Sequence, residues 1–217
     1  MLTQLRLLLP SLMLLGLLTG SPQEKNAPDS VTISGATLEA PYFKLHYSLP
    51  QNWSSEDDAK RMEKNRKKHE ERVKSLERET SRIVNAGAIT TRVFWVYDLL
   101  VATPGAFPAD EKFPLPYIHI VARERSNSSS NPGDYANDMA KLRDQAPFKV
   151  AVFQKPEKQL IAGQKFVRSG LAYGENHYES LYETVSGSYL LSFEFHGKSE
   201  QEVNDLAKTM ESVKFDR

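Results

Sequence analysis

Two alternating runs, His177 to Val185 and Tyr189 to Phe195, flank Ser186-Gly187-Ser188. Period-2 alternation marks a strand with one buried face, and a glycine-centred break between two such runs predicts a tight antiparallel hairpin. In the second run Tyr189, Leu191, Phe193 and Phe195 fall on one side, with Leu190, Ser192, Glu194 and His196 on the other. Gly197 breaks that strand. Ser199-Glu200-Gln201-Glu202 then forms a capping box, in which Ser and Glu satisfy backbone N–H groups at a helix start. Val203, Leu206, Ala207, Met210 and Val213 lay down one apolar helix face behind it.

The rest of the chain extends this plan. Phe43, Leu45, Tyr47 and Leu49 alternate with Lys44, His46 and Ser48 up to Pro50, predicting a strand, and residues 31–38 predict an earlier one weakened by Gly35. Residues 93–101 are apolar except Asp98, which predicts a central strand buried on both faces. The prolines of 103–116 predict a loop, 117–122 a strand, and Asn131-Pro132 the start of a short helix carrying Tyr135, Met139 and Leu142 and ending near Gln145. Further strands are expected at 148–152 and 161–167, with Gly163 and Gly170 marking bulges or bends. Ser54 or Ser55 is placed to cap a long helix running to about Asn85, so that residues 54–86 form a charged helix. Its first half has almost no apolar residue except Met62 and is expected to project into solvent, while Val73, Leu76, Ile83 and Val84 pack its second half on the sheet. Strands joined mainly by hairpins and short polar loops predict an α+β fold, an antiparallel β-sheet sandwiched by helices.

At the N-terminus Arg6, the apolar run Leu7 to Leu18 and the small residues Thr19-Gly20-Ser21 have the three-part layout of a signal peptide. Residues 1–20 are therefore expected to be removed on export, leaving a flexible polar leader over 21–30 and one α+β domain over 31–217. The apolar run is too short to cross a bilayer as a helix, so no stable membrane anchor is expected after cleavage. The chain has no cysteine, which excludes disulfides, thiol catalysis and thiolate metal sites. A disulfide-free exported chain fits a secreted or periplasmic setting in a bacterial envelope. Lys plus Arg and Asp plus Glu each number 28, so no global charge draws the chain to nucleic acid.

Candidate chemistry is sparse. There is no Gly-x-Ser-x-Gly elbow and no glycine-rich phosphate loop, and no catalytic residue is assigned. If the hairpin pairs about Gly187, residues 178–180 approach 194–196, so that His177, Glu179, Glu194 and His196 converge. Imidazole and carboxylate together suit a divalent metal such as zinc. The competing reading is four solvated side chains on the polar face of an exposed hairpin. Asp98, inside the most apolar strand, needs a partner or a place at a strand end or bulge. Residues 60–82 carry ten Lys or Arg against five Glu. Lys64, Arg66, Lys67 and Lys68 are accordingly candidates for meeting an acidic partner, the alternative being a solvated helix face. Trp53 is either a ligand-stacking aromatic or a core lid at the corner after Pro50.

Leu49-Pro50-Gln51-Asn52-Trp53 after an aromatic-aliphatic strand, the strand Leu190-Leu191-Ser192-Phe193-Glu194-Phe195, the capped helix and the tail Ser212-Val213-Lys214-Phe215 together resemble PsbP-like domains. That fold is shared with exported bacterial DcrB-like proteins. The resemblance covers mainly residues 40–53 and 160–215, and the charged helix departs from it as an apparent insertion. It implies an antiparallel sheet sandwiched by helices and an accessory or binding role rather than catalysis, and carries no functional residue across. The leading expectation is a non-enzymatic accessory or interaction domain of the cell envelope that meets another envelope protein. The alternative is a metal- or small-molecule-binding protein, with hydrolytic activity conceivable, built on the 175–196 hairpin.

Overall fold

Apolar side chains on alternate positions of several strands converge on one layer, and this layer organises the chain. The computed structural model describes residues 27–83, 95–108, 113–125, 131–142 and 150–216. In chain order the elements are β1 (Thr32–Ser34), β2 (Thr37–Ala40), β3 (Leu45–Ser48), β4 (Trp53–Ser55), α1 (Asp58–Ile83), β5 (Val96–Pro104) and β6 (Tyr117–Glu124). There follow α2 (Asp134–Leu142), β7 (Val150–Ile161), β8 (Gln164–Tyr173), β9 (Tyr178–Ser186), β10 (Tyr189–Gly197), α3 (Glu200–Ala207) and β11 (Lys214–Phe215).

The strands form two antiparallel sheets, ordered β1-β2-β3-β11 and β4-β5-β6-β10-β9-β8-β7. Leu38, Leu45 and Tyr47 of the smaller sheet pack with Ile118, Ile120, Leu191, Phe193 and Phe195 of the larger one, and Ala207, Met210 and Val213 join them. A smaller cluster of Ala136, Val150 and Leu171 seats α2 on β7 and β8. The expected helix-covered antiparallel sheet is present, with a second sheet added by the N-terminal strands and closed by the C-terminal tail, where Phe215 lies opposite Leu45.

The β9–β10 hairpin forms as the alternation requires, with Ser186 opposite Tyr189 and Gly187 at φ 58°. Ser199 accepts the Glu202 N–H at 3.2 Å. The Glu202 carboxylate accepts from the Lys198 N–H at 2.6 Å, one residue earlier than the usual reciprocal bond. Gly163, at φ 79°, makes the turn between β7 and β8. Gly170 is required by packing, because a Cβ there would meet the Phe153 ring at 2.4 Å.

Three local expectations need correction. The strand expected over 31–38 is the hairpin β1–β2, because Gly35 at φ 60° turns the chain instead of merely weakening it. The α1 cap is Asp57, whose side chain accepts the Lys60 N–H at 3.1 Å, since Ser54 and Ser55 are taken up in pairing β4 with β5. The first half of α1 is not solvated on all sides: Arg61 and Asn65 are completely buried against β5. Polar side chains dock the helix here by satisfying backbone groups. Arg61 donates to the carbonyls of Leu99 and Val31, each at 3.1 Å. The Asn65 amide donates to the Asp98 carbonyl and accepts the Asp98 N–H, both at 3.0 Å. The pairing of β5 with β6 slips between Asp98 and Leu100, so Asn65 supplies a bulged peptide with the partners its neighbouring strand does not. The expected signal peptide and most of the expected leader lie outside the described residues.

Each buried backbone group left without a partner costs about 1–3 kcal/mol. Asn65→Ala orphans two such groups, so it is expected to destabilise the fold by roughly 2–4 kcal/mol, whereas Asn65→Asp, which keeps the acceptor, costs less. Urea unfolding of the three proteins checks this. Equal stability of wild type and Asn65→Ala would show that the bulge finds other partners.

Candidate functional site

Register places the site. On the sheet face turned away from the main core, Glu194 of β10 lies opposite His119 of β6 and Leu181 of β9. His196 lies opposite Tyr117 and Glu179, and Ser192 opposite Val121 and Glu183. Side chains directly opposite on one face are within contact distance. Three buried carboxylates and a histidine are thereby gathered beneath α2. Glu179 is 4% exposed, Glu183 2%, Glu194 8% and His196 7%. This hairpin face is covered, which removes the reading of these groups as solvated side chains.

The ligand atoms of Glu179, Glu194 and His196 all lie within 4.8 Å of one another. His177, in the turn before β9, joins them indirectly, its Nε2 lying 3.1 Å from His196 Nδ1. That contact occupies Nδ1 of His196 and leaves its Nε2 facing Glu194 Oε2 at 3.8 Å. Tyr117 stacks on the His196 ring with centroids 4.2 Å apart and fixes its plane. Glu179 accepts from the Tyr173 hydroxyl at 2.6 Å, and Tyr173 is in turn 3.0 Å from the Tyr135 hydroxyl of α2. Glu194 is held by Arg123 at 2.6 Å and by His119 Nδ1 at 2.8 Å. Each of the three convergent groups thus has an outer partner that orients it.

The group opens on a cavity of about 530 Å³ between α2 and the sheet. Five carboxylates, of Asp134, Asp138, Glu179, Glu183 and Glu194, line it against one guanidinium, that of Arg123. The electrostatics are uneven. Burial would raise the Glu194 carboxyl, but His119, His196 and Arg123 outweigh it and hold the group well below the usual carboxylate range. Burial and the nearby Glu194 charge push Glu179 up. Burial also pushes Glu183 up, opposed by the Gly133 N–H that it accepts at 2.7 Å. The His177 imidazole is pushed down by burial and by His196. His119 sits between two carboxylates that overcome its burial and raise it to about 9. Its second carboxylate is Asp98, 3.1 Å from Nε2, and Asp98 also pairs with Lys68 of α1. Burial works against the Asp98 charge, and His119 and Lys68 hold its carboxyl far below its ordinary value.

The other candidate residues lie elsewhere. Arg66 bonds to Glu63 and Glu70 on its own helix, and Lys67 lies 3.6 Å from Glu63. Lys64 lies 4.0 Å from Glu56 and over the Phe113 ring. Of the four basic residues Lys68 alone joins the Asp98–His119–Glu194 contacts, by pairing with Asp98. Trp53 is half-buried in β4 and packs against the main core. Sequence reasoning missed His119, Arg123, Tyr173 and Tyr135. The alternation of Tyr117, His119 and Val121 against Ile118 and Ile120 places His119 on a polar side, but nothing local says which strand faces it.

Ordinary surface carboxylates gain nothing when neutralised, whereas Glu179 is crowded by Glu194 out of water. Glu179→Gln keeps an acceptor for Tyr173 and removes a charge, so the cation-free variant is expected to melt a few degrees above wild type at neutral pH, about 2–4 °C per kcal/mol at this size. Scanning calorimetry in chelator checks it, and a lower melting temperature would show that the ionised carboxylate is a net stabilising group.

No protein-family model matches the chain, and no curated protein matches it by sequence. Among solved structures the chain is similar to cyanobacterial PsbP (CyanoP) from Synechocystis sp. PCC 6803 at 11% identity and a TM-score of 0.44. The match covers 85% of this chain and 95% of that one.

Proposed function

We propose that this protein is an exported, non-enzymatic accessory protein of the cell envelope that holds a divalent cation in the cavity beneath α2. One observation carries the reading: Glu179, Glu194 and His196 converge within 4.8 Å while buried, and each is oriented by a separate hydrogen bond. Ligating groups fixed by outer partners are the arrangement a metal site needs, and two carboxylates with one imidazole suit zinc or manganese. The excess of carboxylate over guanidinium in the cavity wall points the same way, since a bound cation relieves the crowding of Glu179 against Glu194. Export is read from the signal-like N-terminus, and the accessory role from the sequence resemblance to PsbP-like domains. Ser192 on this face accepts from Arg123 at 2.7 Å and lies fully buried, a structural rather than a nucleophilic setting. Export delivers the chain to the envelope, where the proposed partner is another envelope protein. The paired charges of Lys64, Arg66 and Lys67 favour the cavity over the basic helix as the functional element.

Purified mature protein is expected to contain about one divalent ion per chain by elemental analysis. Its melting temperature should fall on chelation and recover on adding Zn²⁺ or Mn²⁺. Glu179→Gln and His196→Ala should abolish that recovery, and charge reversal at Lys64, Arg66 and Lys67 should leave it intact. Metal-free protein whose melt is unmoved by millimolar Zn²⁺, Mn²⁺ or Ca²⁺ would overturn the proposal.

A further inference from the structure

We infer that Asp98 and His119 are positioning residues for the cation ligand Glu194, and that through Lys68 they tie the occupancy of the cavity to the seating of helix α1. This inference rests on the cation reading and specifies how that site is controlled.

The chain of contacts is continuous. Lys68 of α1 pairs with Asp98 Oδ2, Asp98 Oδ1 meets His119 Nε2 at 3.1 Å, and His119 Nδ1 meets Glu194 Oε2 at 2.8 Å. A ring with a carboxylate oxygen at each nitrogen donates from both, so His119 is an imidazolium bridging two anions. Glu194 Oε1 is taken by Arg123, so the two bonds together fix the carboxylate plane with Oε2 3.8 Å from His196 Nε2. Rotation of His119 would free that plane.

The position of Asp98 is itself constructed. In regular pairing the residue of β5 opposite His119 is Val101, and Asp98 lies opposite Val121. Asp98, opposite Val121, shares a sheet face with His119, and the register slip that follows it marks a bulge beside this contact. Asn65 holds the bulged peptide from α1, and Lys68, one helical turn further on, holds the carboxylate. One helix face therefore grips both the backbone and the side chain at the far end of the bridge. Lys68 remains about half exposed, so a partner meeting α1 has access to that end. Coupling of this kind is reciprocal: whatever the cation does to the α1 grip, disturbance of the grip does to cation affinity.

Buried charge networks seldom improve stability over apolar replacements, so a purely structural role predicts changes in melting temperature with no change in cation affinity among folded molecules. The test is isothermal titration of Zn²⁺ into wild type, Asp98→Asn, His119→Leu, His119→Gln and Lys68→Met at a temperature well below each melting point, with circular dichroism confirming the fold. Loss of an outer-shell partner typically weakens metal binding 10–100-fold. His119→Leu is expected to fall in that range, and His119→Gln, which keeps one donor toward Glu194, should recover part of the loss. Asp98→Asn and Lys68→Met should weaken binding about tenfold and severalfold, in order of distance along the chain. Wild-type binding with all variants within twofold of it would overturn the positioning inference while leaving the cation site standing. Absence of Zn²⁺ binding by wild type would overturn both.

Discussion

Four carboxylates, those of Asp98, Glu179, Glu183 and Glu194, lie buried on one face of an antiparallel sheet, and the surrounding structure answers to that burden. A charge taken out of water needs a counter-charge or several donors. Asp98 and Glu194 share His119 and have Lys68 and Arg123 besides. Glu183 takes the backbone N–H of Gly133 just before α2, which ties that helix to the sheet. Glu179 has the Tyr173 hydroxyl but no cation of its own within hydrogen-bond distance among the described residues. The face is graded from fully compensated on the β5 side to under-compensated beneath α2, and the cavity opens at the under-compensated end.

The same economy of polar groups explains why α1 sits where it does. An amphipathic helix docked by an apolar stripe can slide or roll at modest cost, because hydrophobic contact is non-directional. The described first half of α1 docks instead through Arg61 on two carbonyls and Asn65 on both backbone groups of one residue, Asp98. Such bonds fix rotation and translation together. Lys68 is thereby delivered to Asp98. Packing that looks weak by hydrophobicity is strict in geometry.

How much of this was legible in the sequence depended on the range over which the information acts. The β9–β10 hairpin, its two faces and α3 could be read because alternation, Gly187 and the Ser199 cap are local signals. The convergence of Glu179 with His196 followed from that hairpin alone. The pairing of Glu194 with His119 was not readable, since it depends on β6 lying against β10 across a long stretch of chain. The burial of Arg61 and Asn65 was also hidden, because a polar residue that satisfies buried backbone looks in sequence like one that meets solvent. Asp98 fell between the two. Its setting in an apolar run announced a bulge or a cationic partner, and the structure supplies both.

A face built in this way has consequences for stability as well as recognition. Replacing a buried ion pair by well-packed apolar residues is often neutral or stabilising, so the charges on this face are not needed to hold the sheets together. The main core, with Phe166, Phe193, Phe195 and Tyr47 wholly buried on the other side, already does that. Crowding Glu179 against Glu194 instead makes the cation-free fold less stable than it could be. A cation at a hundred times its dissociation constant adds about 2.7 kcal/mol to the folded state by mass action, comparable to one or two buried hydrogen bonds. Under the proposed occupancy the ligand acts as a structural member of this face, closing the gap that the sheet leaves open. The segment from Gly133 through Tyr135, bonded to Glu183 and Tyr173, is the part of the surface that would register the difference. A partner that recognises α2 would therefore distinguish the loaded protein from the empty one without touching the cation.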